Sequence, residues 1–179
     1  MDVVLVKTGL GDAEAVSRMA YDIIPGVYPH IGSEVIQNYI DTNQSPEIIR
    51  SRMEAGQLYL LVRSGSKNLG YVAYYIEGDV LHLDKLYLYP QSRGAGAGSL
   101  VLRTMVEKAC SEGCSSVLLD VHGRNQRARK FYERHGFVYD REIPNGTDVP
   151  DWTMRLDLRP HLRSGGLLPS ATRQTCRRP

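Results

Sequence analysis

The chain has 179 residues, of which 42% are apolar and 23% charged, with a formal net charge of +2. These values indicate one ordinary globular domain, and no apolar run reaches the ~18 residues of a membrane span. Four arginines and no acidic residue fall within residues 161–179. The remainder carries 18 basic and 20 acidic residues, which excludes a basic nucleic-acid-binding surface.

The first half of the chain predicts one strand, three helices and an antiparallel meander. "VVLVKT" is β-rich, and the helical segments that follow begin at the potential caps Asp12, Ser33 and Ser45. Gly56 ends the third helix. The three strands of the meander are then "QLYLLVR", "LGYVAYYIEG" and "VLHLDKLYLYP".

The second half alternates helices and strands. "AGSLVLRTMVEKACSEG" has helical apolar spacing and ends at Gly113, and "SVLLDVH" is typical of a buried strand. Asn125 then caps a helix that ends at Gly136, and "FVYDREI" and "DWTMRLDL" are the last two strands. This order predicts an α+β domain over residues 1–160 with a mixed sheet of about seven strands. Residues 161–179 lack periodicity, so we expect a disordered tail.

Three glycines at alternate positions precede the helix that starts near residue 97. They are Gly94, Gly96 and Gly98, and Arg93 comes just before them. The N-terminus of a helix exposes unpaired N–H groups and partial positive charge, so glycines there allow an anion such as phosphate to approach the backbone. Neither the Walker pattern nor the Rossmann pattern is present, so the glycines alone are weak evidence of a phosphate site.

The glycines belong to "YPQSRGAGAGSL", of the form P-x-x-R-G-x-G-x-G, and "NQRARKFYERHGF" follows 27 residues after Gly98. This pair of motifs resembles the GCN5-related N-acetyltransferase superfamily. The resemblance implies helices around a mostly antiparallel sheet that is split between its fourth and fifth strands. It also implies acetyl-CoA as co-substrate, with its pyrophosphate on the backbone of Arg93, Gly94, Ala95, Gly96, Ala97 and Gly98. The spacing of Leu83, Leu86 and Leu88 breaks strict alternation and agrees with the bulge found in this family.

Three roles follow from the same resemblance. Tyr132 is the expected general acid for the leaving thiolate, although helical periodicity alone favours a core tyrosine. Asn125 caps its helix and is also expected to contact coenzyme A. The backbone amide of Leu88, with that of Leu86 as a second donor, is expected to polarise the thioester carbonyl.

The acceptor amine needs a base, because a lysine-like amine has a pKa of ~10.4 and is protonated near neutral pH. Asp120 occupies a place where similar acetyltransferases sometimes carry a catalytic carboxylate or histidine. His82 and Asp84 on the neighbouring strand are alternatives, and a water relay is a third. Of the three side chains, Asp120 is the preferred base.

The resulting hypothesis is an N-acetyltransferase in which a small amine, a polyamine or a peptide amine attacks acetyl-CoA directly in a ternary complex. The acidic N-terminal region suggests a cationic acceptor held by Tyr28, Glu34, Tyr39 and Asp41. The alternative is a non-catalytic acyl-CoA-binding module.

We expect no metal, because the spacing of Cys110, Cys114 and His122 does not suit zinc. The three cysteines, which include Cys176, are too few for a disulfide framework. The N-terminus has no basic region typical of a secretory signal. We therefore expect a cytoplasmic monomer or homodimer that binds neither nucleic acid nor membrane.

Overall fold

The computed structural model describes residues 2–29, 31–94, 96–146 and 148–158. The expected tail and Ala95 lie outside these residues. The described elements include seven strands and five α-helices: β1 (Val4–Lys7), α1 (Ala13–Ile23), α2 (Ser33–Asn43), α3 (Pro46–Glu54), β2 (Leu58–Ser64), β3 (Lys67–Glu77), β4 (Val80–Leu88), α4 (Ala97–Ser111), β5 (Ser116–His122), α5 (Gln126–Arg134), β6 (Val138–Ile143) and β7 (Asp151–Asp157).

The seven strands form one sheet in the order β1-β2-β3-β4-β5-β7-β6. All neighbours are antiparallel except β4 and β5, which are parallel. Their pairing covers only Val80–Ser116, Leu81–Val117 and His82–Leu118. Beyond His82 the two strands are not paired, and a gap opens between them. The predicted α+β class, the strand number and the split between the fourth and fifth strands are confirmed.

Each face of the sheet is covered by its own helices. On one face α4 buries Val101, Leu102 and Met105 against residues of β3, β4 and β5. On the other face α1, α2 and α3 bury isoleucines against Tyr59, Tyr71 and Ala73. Because neighbouring residues of a strand point to opposite faces, Tyr71 and Val72 of β3 belong to different cores.

Two of the four predicted helix caps make the expected side-chain bond. Ser45 Oγ accepts from the amide of Ile48 at 3.4 Å, and Asn125 Oδ1 accepts from the amide of Ala128 at 3.1 Å. Asp12 instead accepts from the amide of Gly9, which lies before the helix. Ser33 is the first residue of α2, and Gly32 takes the cap position. Asp12 therefore occupies the predicted cap position of α1 without a side-chain bond to the helix, and the cap prediction was wrong for Ser33.

The predicted bulge in β4 is present at Asp84. The register with β3 passes from Ala73–Lys85 directly to Tyr74–Leu83, so Asp84 has no opposite residue. Because of the extra residue, the leucines before and after the bulge point to the same face of the sheet. Leu81, Leu83, Leu86 and Leu88 all pack on the α4 side. The bulge therefore changes which residues of β4 face the gap without breaking the core.

The bulge is held by a polar cluster on the α1–α3 side of the sheet. Asp84 accepts from Lys85 Nζ at 2.7 Å and from Gln57 Nε2 at 2.5 Å. Burial alone would raise the pKa of Asp84, but the Lys85 ammonium and the Gln57 amide outweigh it, so the pKa of this carboxyl is lowered. Lys85 is itself buried, and Asp84 is therefore its compensating charge.

Candidate active site

A cavity of about 730 Å³ follows the split between β4 and β5. The glycine turn before α4 lines this cavity, and so do the bulge of β4 and Asp120 of β5, each of which lies two residues past the last β4–β5 pair, His82–Leu118. The loop after α1, with Tyr28, and the inner face of α5, with Tyr132, complete the wall. Five elements that are distant in sequence thus meet at one opening in the sheet.

The backbone of β4 turns unpaired groups toward this cavity. Tyr89 donates its amide to the carbonyl of Leu69 at 2.9 Å, so this residue bonds on the β3 side. In an antiparallel pair the bonding side alternates with each residue, which directs the N–H groups of Leu86 and Leu88 away from β3 and into the split. The carbonyl of Leu88 accepts from Arg93 Nε at 3.0 Å. Both leucines line the cavity, as their predicted role requires.

The glycine turn shapes the other end. Gly94 and Gly96 have φ of 81° and 85°, a left-handed backbone that side chains disfavour, and a Cβ on either would meet no atom within 4 Å. The space above their backbone is therefore open to a ligand. Gly98 is required for packing and not for an open backbone. A Cβ there would lie 3.2 Å from Phe131 Cζ, so this glycine allows α4 to pack closely on α5. The side chain of Ala97 is buried, so this residue can contact a ligand only through its backbone.

Three arginines also line the cavity: Arg93, Arg127 and Arg134. Burial, together with the like charge of Arg127, lowers the pKa of Arg93. The sequence analysis assigned no role to Arg127 or Arg134. Their separation of seven residues, which is about two helical turns, was the signal that would have placed them on one face of α5.

Tyr132 is both a packed residue and part of the cavity wall. Its ring makes edge contact with Phe131 at 5.3 Å and a tilted contact with Phe137 at 5.7 Å between centroids. Burial raises its pKa well above the ordinary value, so the phenol keeps its proton near neutral pH. A protonated phenol in this wall has the form that a proton donor needs.

Two carboxylates line the cavity away from the arginines. Asp120 is exposed, and its Oδ1 accepts from Thr153 Oγ1 at 2.7 Å across the β5–β7 pair. Asp84 is the bulged residue, with both oxygens already engaged. His82, the third candidate base, does not line the cavity: it stacks on Tyr75 with ring centroids 4.6 Å apart, and its Nε2 lies 3.8 Å from Glu77.

Of the four residues expected to hold the acceptor, Tyr28 alone lines the cavity. Ile36 and Ile40 occupy the inner face of α2, so Glu34 and Asp41 lie on its exposed side. The Asp41 carboxylate accepts from Tyr21 and from Gln37 instead, and Tyr39 packs against the α1–α3 core. Glu34 and Asp41 therefore lie away from the cavity, whereas Tyr39 does not line it but interacts with Tyr28 and Tyr87, which do. The carboxylates that line the cavity are Asp84 and Asp120.

The described residues contain no group of three or more His, Cys, Asp or Glu side chains placed to hold a metal ion. Within the same part of the chain, every helix is too short or too polar to cross a membrane.

Comparison with known proteins gives one consistent result. The model of the Acetyltransferase (GNAT) family matches residues 21–137. An uncharacterized N-acetyltransferase of Mycobacterium tuberculosis (strain ATCC 25618 / H37Rv) is 31% identical over 130 residues, which are 70% of this chain and 83% of the relative. The thialysine N-epsilon-acetyltransferase of Bos taurus is 34% identical over 73 residues, 38% of this chain and 43% of that protein.

The fold has close counterparts among solved structures. The PaiA N-acetyltransferase of Thermoplasma acidophilum, in complex with coenzyme A, superposes with a TM-score of 0.76 at 23% identity, covering 88% of this chain and 99% of its own. A GCN5-related N-acetyltransferase from Rhodopseudomonas palustris gives a TM-score of 0.73 at 20% identity over 88% and 97% of the two chains. The motifs, the split sheet and these matches agree: the chain belongs to the Acetyltransferase (GNAT) family and is an acetyltransferase.

Proposed function

We propose that this enzyme transfers the acetyl group of acetyl-CoA to a cationic primary amine by direct attack in a ternary complex. The observation that carries the proposal is the charge order along the split. Arg93 adjoins the glycine turn and lies close enough to Arg127 for the two charges to interact, whereas Asp84 and Asp120 lie two residues past the last β4–β5 pair, at the closed end of the split. An anionic donor and a cationic acceptor would therefore enter from different ends.

The donor end suits the phosphates of acetyl-CoA. The open backbone at Gly94 and Gly96 leads into the first amides of α4, where the helix dipole favours negative charge. The three arginines add charge-assisted donors. The solved neighbour that contains coenzyme A has the same fold, which supports this assignment.

The thioester would then lie along β4. The N–H groups of Leu86 and Leu88 point into the split, and an amide held there polarises the carbonyl as negative charge develops on its oxygen. Attack by the amine forms the C–N bond and breaks the C–S bond. Tyr132, kept protonated by burial, gives its proton to the departing thiolate.

The acceptor ammonium loses two protons during the reaction: one balances the proton supplied to sulfur, and one leaves to solvent. Asp120 is our proposed base, because its Oδ1 is fixed by Thr153 and Oδ2 has no bond within the described part of the chain. Asp84 is the weaker candidate, since the Lys85 ammonium stabilises its carboxylate and lowers its pKa. Its charge would attract the ammonium instead.

The acceptor class follows from these two carboxylates and from the relatives. A small diamine, thialysine or a lysine side chain would each present one ammonium to Asp84 and Asp120. The thialysine N-epsilon-acetyltransferase similarity supports an amine on a short chain, although it covers only 38% of this sequence.

The phosphate assignment predicts that Gly96→Val abolishes acetyl-CoA binding, because a β-branched side chain would cover the amides of the turn. Gly56→Val is the matched control: Gly56 has φ of 96°, also has no atom within 4 Å of a Cβ, and lies outside the cavity. Thermal shift with acetyl-CoA measures binding by mass action. Wild-type shifts in both variants would contradict the assignment.

Tyr132→Phe should leave the acetyl-CoA dissociation constant unchanged and lower kcat by the ~10²–10⁴-fold typical of general acid–base groups. Tyr139→Phe removes a hydroxyl from an exposed ring that contacts Trp152 on β7, and it should keep wild-type kcat. Steady-state release of free coenzyme A reports both. Full turnover by Tyr132→Phe would remove the phenol from the mechanism.

Asp120→Asn should lower kcat/KM near neutral pH and recover part of the loss as pH rises toward the amine's ~10.4, because more acceptor is then already deprotonated. The amide oxygen can still accept from Thr153, so the strand pairing is retained. Asp84→Asn is the comparison. A wild-type profile for Asp120→Asn from pH 6 to 9 would contradict the assignment, and recovery at high pH in Asp84→Asn alone would move the base to β4.

A further inference from the structure

We propose that Arg129 is a positioning residue that fixes the start of α5 against β5 and β7 and thereby places Tyr132 beside the thioester. The inference rests on the proposed function, because it ties Arg129 to the step in which Tyr132 protonates the departing thiolate. Arg129 does not itself line the cavity, so it acts on the reaction through residues that do.

The placement of Tyr132 depends on a helix that buries little of its surface. Tyr132 is buried, whereas the other residues of α5 are half-buried or exposed. The helix begins after its Asn125 cap, and a short turn joins that cap to the end of β5. Because a short helix moves as one body, the path of this turn decides how far the phenol reaches into the split.

The turn between β5 and α5 is bonded on both sides at Gly123. Its amide donates to the carbonyl of Pro150, just before β7, at 3.1 Å, and its carbonyl accepts from Arg129 Nη1 at 3.0 Å. A Cβ on Gly123 would lie 2.8 Å from the Pro150 carbonyl oxygen, so glycine is what allows the two segments to approach this closely. Arg129 thus ties α5 back to the turn from which the helix departs.

The guanidinium of Arg129 also lies over the ring of Trp152 in β7. Its Cζ is 3.3 Å from the ring centroid, which is a cation–π contact, and Tyr139 meets the same ring edge to face with centroids 4.9 Å apart. Trp152 pairs with Val121 of β5. One side chain of α5 therefore contacts β7 and the end of β5 at the point where the helix begins.

The contacts of this guanidinium favour a role in geometry over one in stability alone. Arg129 Nε is buried and finds no acceptor among the described residues. An unpaired buried donor costs free energy, and an apolar side chain would fill the same space without that cost. The planar guanidinium, however, covers the indole ring and donates to the turn at the same time. This double contact fixes both the distance and the direction of α5 from the strands.

Arg129→Ala removes both contacts and keeps a good helix former at this position. Tyr132 would then be misplaced, so we expect kcat to fall roughly tenfold, while the acetyl-CoA dissociation constant changes less than kcat. Arg129→Lys can still place a cation over Trp152 and should recover part of the loss. Lys130→Ala is the matched control, because it removes one positive charge from an exposed position of α5 that does not line the cavity, and it should keep wild-type kcat.

A double-mutant cycle separates positioning from general stability. If Arg129 acts through the phenol, adding Arg129→Ala to Tyr132→Phe should lower kcat by less than about twofold more, because the group that Arg129 places is already gone. Steady-state release of free coenzyme A, well below the melting temperature of each variant, measures every member of the cycle. Wild-type kcat in Arg129→Ala, or an equal loss of kcat in both backgrounds, would overturn the proposal.

Fluorescence and hydrogen exchange test the anchoring of α5 without turnover. Trp152 is the one tryptophan of the sequence, so its emission reports the contact directly. Arg129→Ala should make acrylamide quenching of Trp152 more efficient and speed exchange at the Ala128 amide, which donates to Asn125, whereas Lys130→Ala should change neither. If wild-type protein acetylates none of thialysine, a diamine and a lysine peptide, the proposed function fails, and these two measurements still decide whether Arg129 fixes the start of α5. Unchanged quenching and exchange in Arg129→Ala would refute that role.

Discussion

The pairing of β4 with β5 ends at His82 and Leu118, and most of what this molecule does depends on that ending. Past this point the amides of Leu86 and Leu88 face a gap instead of a neighbouring strand. Backbone N–H groups shielded from water need a partner, so the gap has a built-in affinity for a polar ligand in extended form. The bulge at Asp84 sets which amides face it, and the pair that Asp84 forms with buried Lys85 keeps the bulge in place.

Charge then gives the gap a direction. In the proposed function, the glycine turn with Arg93 and Arg127 attracts the phosphates of acetyl-CoA, while Asp84 and Asp120 attract an ammonium. The reacting atoms would meet between these two regions, beside Tyr132, whose burial keeps its proton in place. Tyr28, in the loop after α1, also lines this cavity, and its ring contacts His122 at the end of β5.

The sequence predicted the parts of the site that depend on local pattern. The glycine turn and the Asn125 cap came from local patterns, whereas the bulge and the split followed from the resemblance to the acetyltransferase superfamily, with the leucine spacing of β4 in agreement. Long-range packing was less accessible: helical spacing showed that α2 is amphipathic, but not that Glu34 and Asp41 lie away from the cavity. The position of Arg127 beside Arg93 was missed for the same reason, since the two residues lie far apart in the sequence. The turn between β2 and β3 is also shorter than the two predicted strands imply. Because Ser64 pairs with Lys67, only Gly65 and Ser66 remain between the strands.

The central claim is that one cavity brings acetyl-CoA and a cationic amine together for direct transfer. The most direct measurement is mass spectrometry of thialysine, a diamine and a lysine peptide after incubation with the protein and isotopically labelled acetyl-CoA. The account predicts the label on the amine nitrogen, one free coenzyme A for each acetyl group transferred, and no acetylated enzyme before the amine is added. Label on the protein that is later passed to the amine would contradict direct attack. Acetyl-CoA binding without acetylation of any of these amines would contradict the proposed function itself.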